Sequence, residues 1–192
     1  MSLRRIAGQL IDRHIAVGRR GVVICGVSAG VGVSSIAANL AIAIAQQAVS
    51  TLFVDTNLRS TPAYGLHTAT ETQAGLVQHL RGEATLNEII QPTRIDGLFS
   101  IGSGGPAADA DALLARDVFR DFVESIMRSH EFVIFDSPPA NRFADARTIA
   151  AGVGYAVIVA RRGITFLDDV SLLSEQLAQD GVRVIGTVFN TG

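Results

Sequence analysis

The chain has 192 residues, 48% of them apolar, and a formal net charge of −2. That is enough apolar material for one domain with a sizeable core, and the charge gives none of the basic excess expected of a nucleic-acid binder. A single cysteine, Cys25, rules out an internal disulfide and fits a reducing cytoplasm. No secretory leader shows, and the longest apolar run, Ile36 to Ala45, is about half a membrane span, so any membrane association is expected to run through a partner.

In chain order, residues 1–20 (MSLRRIAGQLIDRHIAVGRR) predict a basic amphipathic helix with Leu3, Ile6, Leu10 and Ile11 on one side. Such a helix either packs on the domain edge or docks on a partner or membrane. Strands are predicted over 21–27, 50–55, 97–102, 131–136, 155–160 and 182–189. Most are apolar throughout rather than alternating, the pattern of strands buried on both faces of a parallel sheet. Helices are predicted near 35–47, 73–80, 111–128, 143–151 and 168–180. The last carries Asp168 and Asp169 in its first turn and Gly181 just beyond its end. Segments 56–72 and 102–111 read as flexible loops. Strand–helix alternation over 1–192 predicts a single α/β domain: a doubly wound, mostly parallel sheet in a three-layer sandwich.

Between the first strand and its helix lies GVSAGVGVSS, Gly26 to Ser35. Gly26, Gly30 and Gly32 let the backbone wrap closely with its N–H groups pointing inward. Ser34 and Ser35 open a helix whose N-terminus favours phosphate. The phosphate-loop pattern G-x-x-x-x-G-K-[ST] places a lysine immediately before the Ser/Thr, and Val33 stands there. All 16 basic residues of the chain are arginine. Val33 is expected at the mouth of the helix, where a longer side chain would reach phosphate without entering the core. Two further strands end in acids, Asp55 in LFVDTNLRSTP and Asp136 in FVIFDSPP. In an open α/β sheet both would project beside the glycine loop, where ligands bind. His14, His67, His79 and His130 have no metal-ligand spacing, and Cys25 reads as a small core residue.

These segments, with GLVQHLRGEATLNEII, LFSIGSGGPAADADALL and VIGTVFN, resemble in the same order the bacterial tyrosine kinases of capsule and exopolysaccharide synthesis. That family lies in the deviant-Walker P-loop class, which also includes the Min and Par ATPases. The resemblance implies an ATP and Mg²⁺ site: Gly30, Gly32, Val33, Ser34, Ser35 and Asn190 for the nucleotide, with Asn190 approaching the adenine, and Ser34, Asp55 and Asp136 for the metal. Asp55 and Asp136 would also be the catalytic acids of an active enzyme. The chain departs from the pattern at Ser28 and Val33, where lysines are expected, and at Asn57, where a second aspartate is expected. Tyr64 and Tyr155 are its only tyrosines, whereas such kinases phosphorylate a tyrosine cluster.

A hydrogen bond to a charged group contributes about 1.5–3 kcal/mol, so each lost lysine contact weakens ATP binding roughly 10- to 150-fold. Arg59, Arg161 and Arg162 are the arginines that a substitute contact would draw on. The expectation is therefore weak or absent ATP–Mg²⁺ binding and a pseudokinase-like role. The implied partner is an inner-membrane polysaccharide co-polymerase or chain-length protein, and self-association into a homo-oligomer stays open. An active ATPase or tyrosine autokinase with rearranged phosphate contacts is the alternative. A Par- or Min-like positioning ATPase is a third reading, weakened because that class also needs the missing lysines.

Overall fold

The computed structural model describes residues 2–60 and 74–191. The apolar strand runs divide their side chains between two cores. In β1 (Gly21–Gly26), Val22 and Ile24 enter one core and Val23 and Cys25 the other. β2 (Thr51–Asp55) and β5 (Phe132–Asp136) do the same, with Phe53 and Ile134 on one face and Leu52, Val54, Val133 and Phe135 on the other. These three strands sit in the middle of a seven-stranded sheet of order β3-β4-β2-β5-β1-β6-β7. The flanking strands are β3 (Gln91–Pro92), β4 (Leu98–Ile101), β6 (Tyr155–Arg161) and β7 (Arg183–Asn190). Pairing is parallel except between β3 and β4.

One face is covered by α2 (Val33–Ala45), which has α1 (Leu3–Arg13) packed on it. Nine of the 13 residues of α2 are buried, as expected of a helix held between a sheet and a second helix. α1 buries Ile6, Ala7 and Leu10, so the apolar side read from residues 1–20 is largely spent within the fold. The other face carries α6 (Asp117–Ser129), α7 (Asp145–Val153) and α8 (Leu167–Gln179). α6 buries Phe119, Phe122, Val123 and Ile126, spaced i, i+3, i+4, i+7 along one stripe. The result is the doubly wound three-layer sandwich that the sequence predicts.

Several expectations change. The helix read over 111–128 is two helices, α5 (Ala110–Leu114) and α6. The predicted 73–80 helix shortens to α3 (Leu76–Leu80). Neither β3 nor α4 (Leu86–Ile89) is signalled by the apolar pattern, and the start of α4 is fixed by the Thr85 and Glu88 side chains. The segment 102–111 is anchored rather than loose. Its Gly102 and Ser103 carbonyls accept the Leu76 and Val77 amides at 2.8 and 2.9 Å, the Ala107 amide donates to the Leu58 carbonyl at 2.8 Å, and Ser103, Ala107 and Ala110 are buried. Tyr155 is half-buried, with its ring against His14. Tyr64 and His67 lie outside the described residues, as does most of the 56–72 loop. Among the described residues no helix is long and apolar enough to cross a membrane.

Candidate functional site

β1, β2 and β5 end side by side, and the segments that leave their carboxyl ends form the site. After β1 the chain turns through Val27–Gly32 and enters α2 at Val33. Gly30 (φ 77°) and Gly32 (φ 95°) take the left-handed conformation that the turn requires. Gly32 also lies so close to β7 that a Cβ there would stand 2.4 Å from Asn190 Nδ2. That amide donates to the Val31 carbonyl at 2.9 Å, and Arg161 donates to the Gly30 carbonyl at 2.9 Å. The ends of β6 and β7 thus hold the loop from outside.

Val33 opens α2 at the mouth of the helix, as the sequence suggests, but its side chain does not stand clear of the core. It is 9% exposed and belongs to the core on the α2 face. Its Cγ2 lies over Gly26, where a Cβ would come within 2.3 Å of it. Val33 still borders the cleft, but its methyl groups seal the floor of the loop. A lysine there would give up this packing to carry its ammonium to the opening.

The two acids meet as expected. Asp55 and Asp136 are register partners in the β2–β5 ladder, and both are buried. The Asp55 carboxylate accepts the Asn57 amide at 3.0 Å and a hydrogen bond from Ser103. Asp136 accepts from the Ser34 hydroxyl, and its Oδ1 has no hydrogen-bond partner among the described residues. Burial pushes Asp55 up to about 6. Burial, and then the nearby Asp55 charge, push Asp136 up to about 8. At neutral pH the pair therefore keeps a proton.

Ser28, Gly30, Gly32, Ser34, Ser35 and Asn57 line a cleft of about 460 Å³, closed on the far side by Arg59, Arg142 and Phe143. Arg59 is committed elsewhere. It forms a two-pronged ion pair with Asp145, Nε to Oδ2 at 2.7 Å and a terminal nitrogen to Oδ1 at 2.9 Å, and lies over the Phe143 ring. Asn57 is likewise occupied, donating to Ser60 at 2.9 Å and accepting the Arg59 amide at 3.3 Å. Arg142 is exposed on the cleft wall.

Residues 20–176 match the protein family described as an AAA domain. Among curated proteins, the tyrosine-protein kinase CpsD of Streptococcus agalactiae is 32% identical over 167 residues, which span 87% of this chain and 73% of that protein. The tyrosine-protein kinase Etk of Escherichia coli K12 is 32% identical over 169 residues, 88% of this chain and 23% of its own length. The solved kinase domain of Escherichia coli ETK superposes with a TM-score of 0.91 at 30% identity, covering 98% of this chain and 74% of that one. The chain belongs to the bacterial tyrosine-kinase family. The fold is shared more widely: the septum site-determining protein MinD of Pyrococcus horikoshii, solved with Mg-ADP, aligns with a TM-score of 0.76 at 20% identity over 89% of this chain and 70% of its own.

Set in this family, the metal half of the site fits its expected occupant. Two carboxylates and a serine hydroxyl are the oxygen donors that Mg²⁺ prefers. The unpartnered Asp136 Oδ1 and the crowding of two buried acids are what a divalent cation would relieve. Among the described residues no set of three or more His, Cys, Asp or Glu forms a metal cage. Bound MgATP would supply the transferable phosphoryl group. On the nucleotide side this chain offers the loop amides and the N-terminus of α2, with no lysine.

Three contributors escape the sequence reading. Ser103 supports Asp55 from a glycine-rich stretch that looks loose. Asp145 fixes Arg59 from a helix start 86 residues away. Arg142 stands in FDSPPANRFADA, and only the turn after Asp136 brings it to the cleft.

Proposed function

We propose that this chain is a pseudokinase-like member of the family that acts by binding in bacterial polysaccharide assembly. Its partner in this reading is the cytoplasmic end of an inner-membrane co-polymerase or chain-length protein. One observation carries the reading: the position that should supply the phosphate-loop cation is Val33, packed on Gly26, in a chain without lysine. Phosphoryl transfer depends mainly on electrostatic stabilisation of the transition state, and Val33 has no donor to give. The polysaccharide setting rests on the family resemblance. A binding role is also supported by the exposed Ile164 and Phe166 ahead of α8, the exposed Leu167 at its start, and the exposed Phe189 on neighbouring β7.

Calorimetric titration with ATP and Mg²⁺ tests the reading. A dissociation constant of roughly 100 µM or weaker is expected from the missing charged contacts, together with no phosphotyrosine after incubation. Low-micromolar binding overturns it. Arg142 favours the second reading, an active ATPase or autokinase, because it brings a cation to the cleft wall. If that reading holds, turnover is measurable and Arg142→Gln abolishes it.

A further inference from the structure

A second groove, of about 350 Å³, runs between α1 and β7, away from the phosphate loop. Arg13 enters it from the end of α1, Arg19 from the segment before β1, and Arg183 from the start of β7. Among the described residues, none of the three is paired with a carboxylate; Arg19 lies over the Tyr155 ring at 5.1 Å. Three cations from separate parts of the chain thus converge on one concavity without a counter-charge. Its remaining walls are largely apolar, including Ile6, Leu10, Ile185 and Val188.

His14 lines the same groove and is 2% exposed. Its Nε2 lies 3.1 Å from the Gly21 carbonyl. A carbonyl only accepts, so Nε2 carries the proton and Nδ1 presents a lone pair. That Nδ1 is buried and has no partner among the described residues. Burial, reinforced by Arg19 and opposed by the Gly21 bond, holds the ring below its ordinary range and hence neutral. The ring is held in place by edge contacts with Tyr155 at 4.7 Å and Phe132 at 5.9 Å. An unmatched buried acceptor beside three unmatched cations calls for a ligand with an anionic group and a hydroxyl.

We propose that the α1–β7 groove is a second ligand site, which takes a hydroxyl-bearing phosphate ester of the glycerophosphate kind. The phosphate meets Arg13, Arg19 and Arg183, the hydroxyl donates to His14 Nδ1, and the carbon skeleton lies on the apolar wall. Such a group comes either as a free metabolite or as a phospholipid headgroup.

The test uses the full chain and two probes: glycerol 3-phosphate in solution, and phosphatidylglycerol vesicles with phosphatidylcholine vesicles as control. Binding is read by calorimetry or co-sedimentation, and the imidazole nitrogen resonances of His14 by NMR. The expected result is binding of at least one probe with a displaced His14 Nδ1 signal. Arg183→Gln and Arg13→Gln, both at exposed positions, should each weaken it roughly tenfold or more, while Ser34→Ala in the phosphate loop leaves it unchanged. Binding of glycerol 3-phosphate assigns a free metabolite, and retention on vesicles alone assigns a lipid. The proposal is overturned if neither probe binds, if His14 stays unmoved, if both arginine variants bind as the parent does, or if Ser34→Ala removes the binding.

Discussion

Replacing Asp136 by Asn should make the protein more stable above neutral pH. Asn keeps the volume and can still accept from Ser34, but removes one of two facing buried charges. The folded-state value of Asp136, about 8, lies far above its ordinary 3.8, through burial and then through Asp55. The folded protein therefore holds a proton that the unfolded chain releases. Its stabilising contribution is complete below the unfolded pKa and drains away as pH rises toward about 8; Asp55 adds a smaller loss, complete by about 6. Each unit of displacement corresponds to about 1.4 kcal/mol. Allowing for relaxation of water and side chains around the pair, the parent should lose about 2–4 kcal/mol between pH 5 and 8. In a domain of this length that is a fall of roughly 5–15 °C in Tm. Urea unfolding at about pH 5 and about pH 8.5 measures it. The variant should match the parent at the acid end and exceed it by most of that amount at the alkaline end, and Mg²⁺ should restore part of the difference to the parent alone. A parent whose stability does not change with pH, or a variant no more stable at about pH 8.5, would refute the claim that the acids sit as an uncompensated pair.

Arg59→Ala should cost about 2–4 kcal/mol in chemical denaturation, because Asp145, 2% exposed, loses both its charged hydrogen bonds; a loss under about 0.5 kcal/mol would mean that the pair is not structural. Gly32→Ala should cost about 1–3 kcal/mol, from its positive φ and the crowding with Asn190, read as a drop in Tm. The triple change Ser28→Lys, Val33→Lys and Asn57→Asp should tighten ATP–Mg²⁺ binding at least tenfold, at about 1.5–3 kcal/mol per recovered charged contact. It should also lower stability by about 1–2 kcal/mol as Val33 leaves the core. Calorimetry and a thermal melt report the two effects separately, and unchanged affinity in a folded variant would show that the loop itself is closed.

The parts of this fold legible in the sequence are those governed by one local rule. Strands buried on both faces must be apolar at every position, so β1, β2, β5 and β6 announce themselves, and acids at the ends of two of them must fall on the ligand side of a parallel sheet. What stayed hidden depends on meetings between distant segments. The stretch 102–111 is rich in glycine, and its order comes from hydrogen bonds to Leu58, Leu76 and Val77, which no composition reveals. Arg59 reads as a spare cation beside the loop until Asp145 claims it. Val33 reads as a residue at a helix mouth, since nothing local says that its methyl groups lie over Gly26.

The position of Val33 bears on how the two halves of the site combine. A phosphate loop with its lysine balances two needs: it draws in a polyanion and sets that charge against the cation held by the acids. In this chain the acid half is assembled, with Asp55 and Asp136 as ladder neighbours and a buried Asp136 Oδ1 that has no hydrogen-bond partner among the described residues. On the loop side Val33 spends its position on packing, Arg59 is paired with Asp145, and Arg161 donates to the Gly30 carbonyl. The loop keeps the partial charge of the α2 N-terminus, equivalent to about half a unit, and Arg142 stands exposed on the cleft wall. On the reading proposed above, a cation gains more than a nucleotide by entering. On that reading the asymmetry is electrostatic rather than steric, and the triple change Ser28→Lys, Val33→Lys and Asn57→Asp is the variant that separates the two.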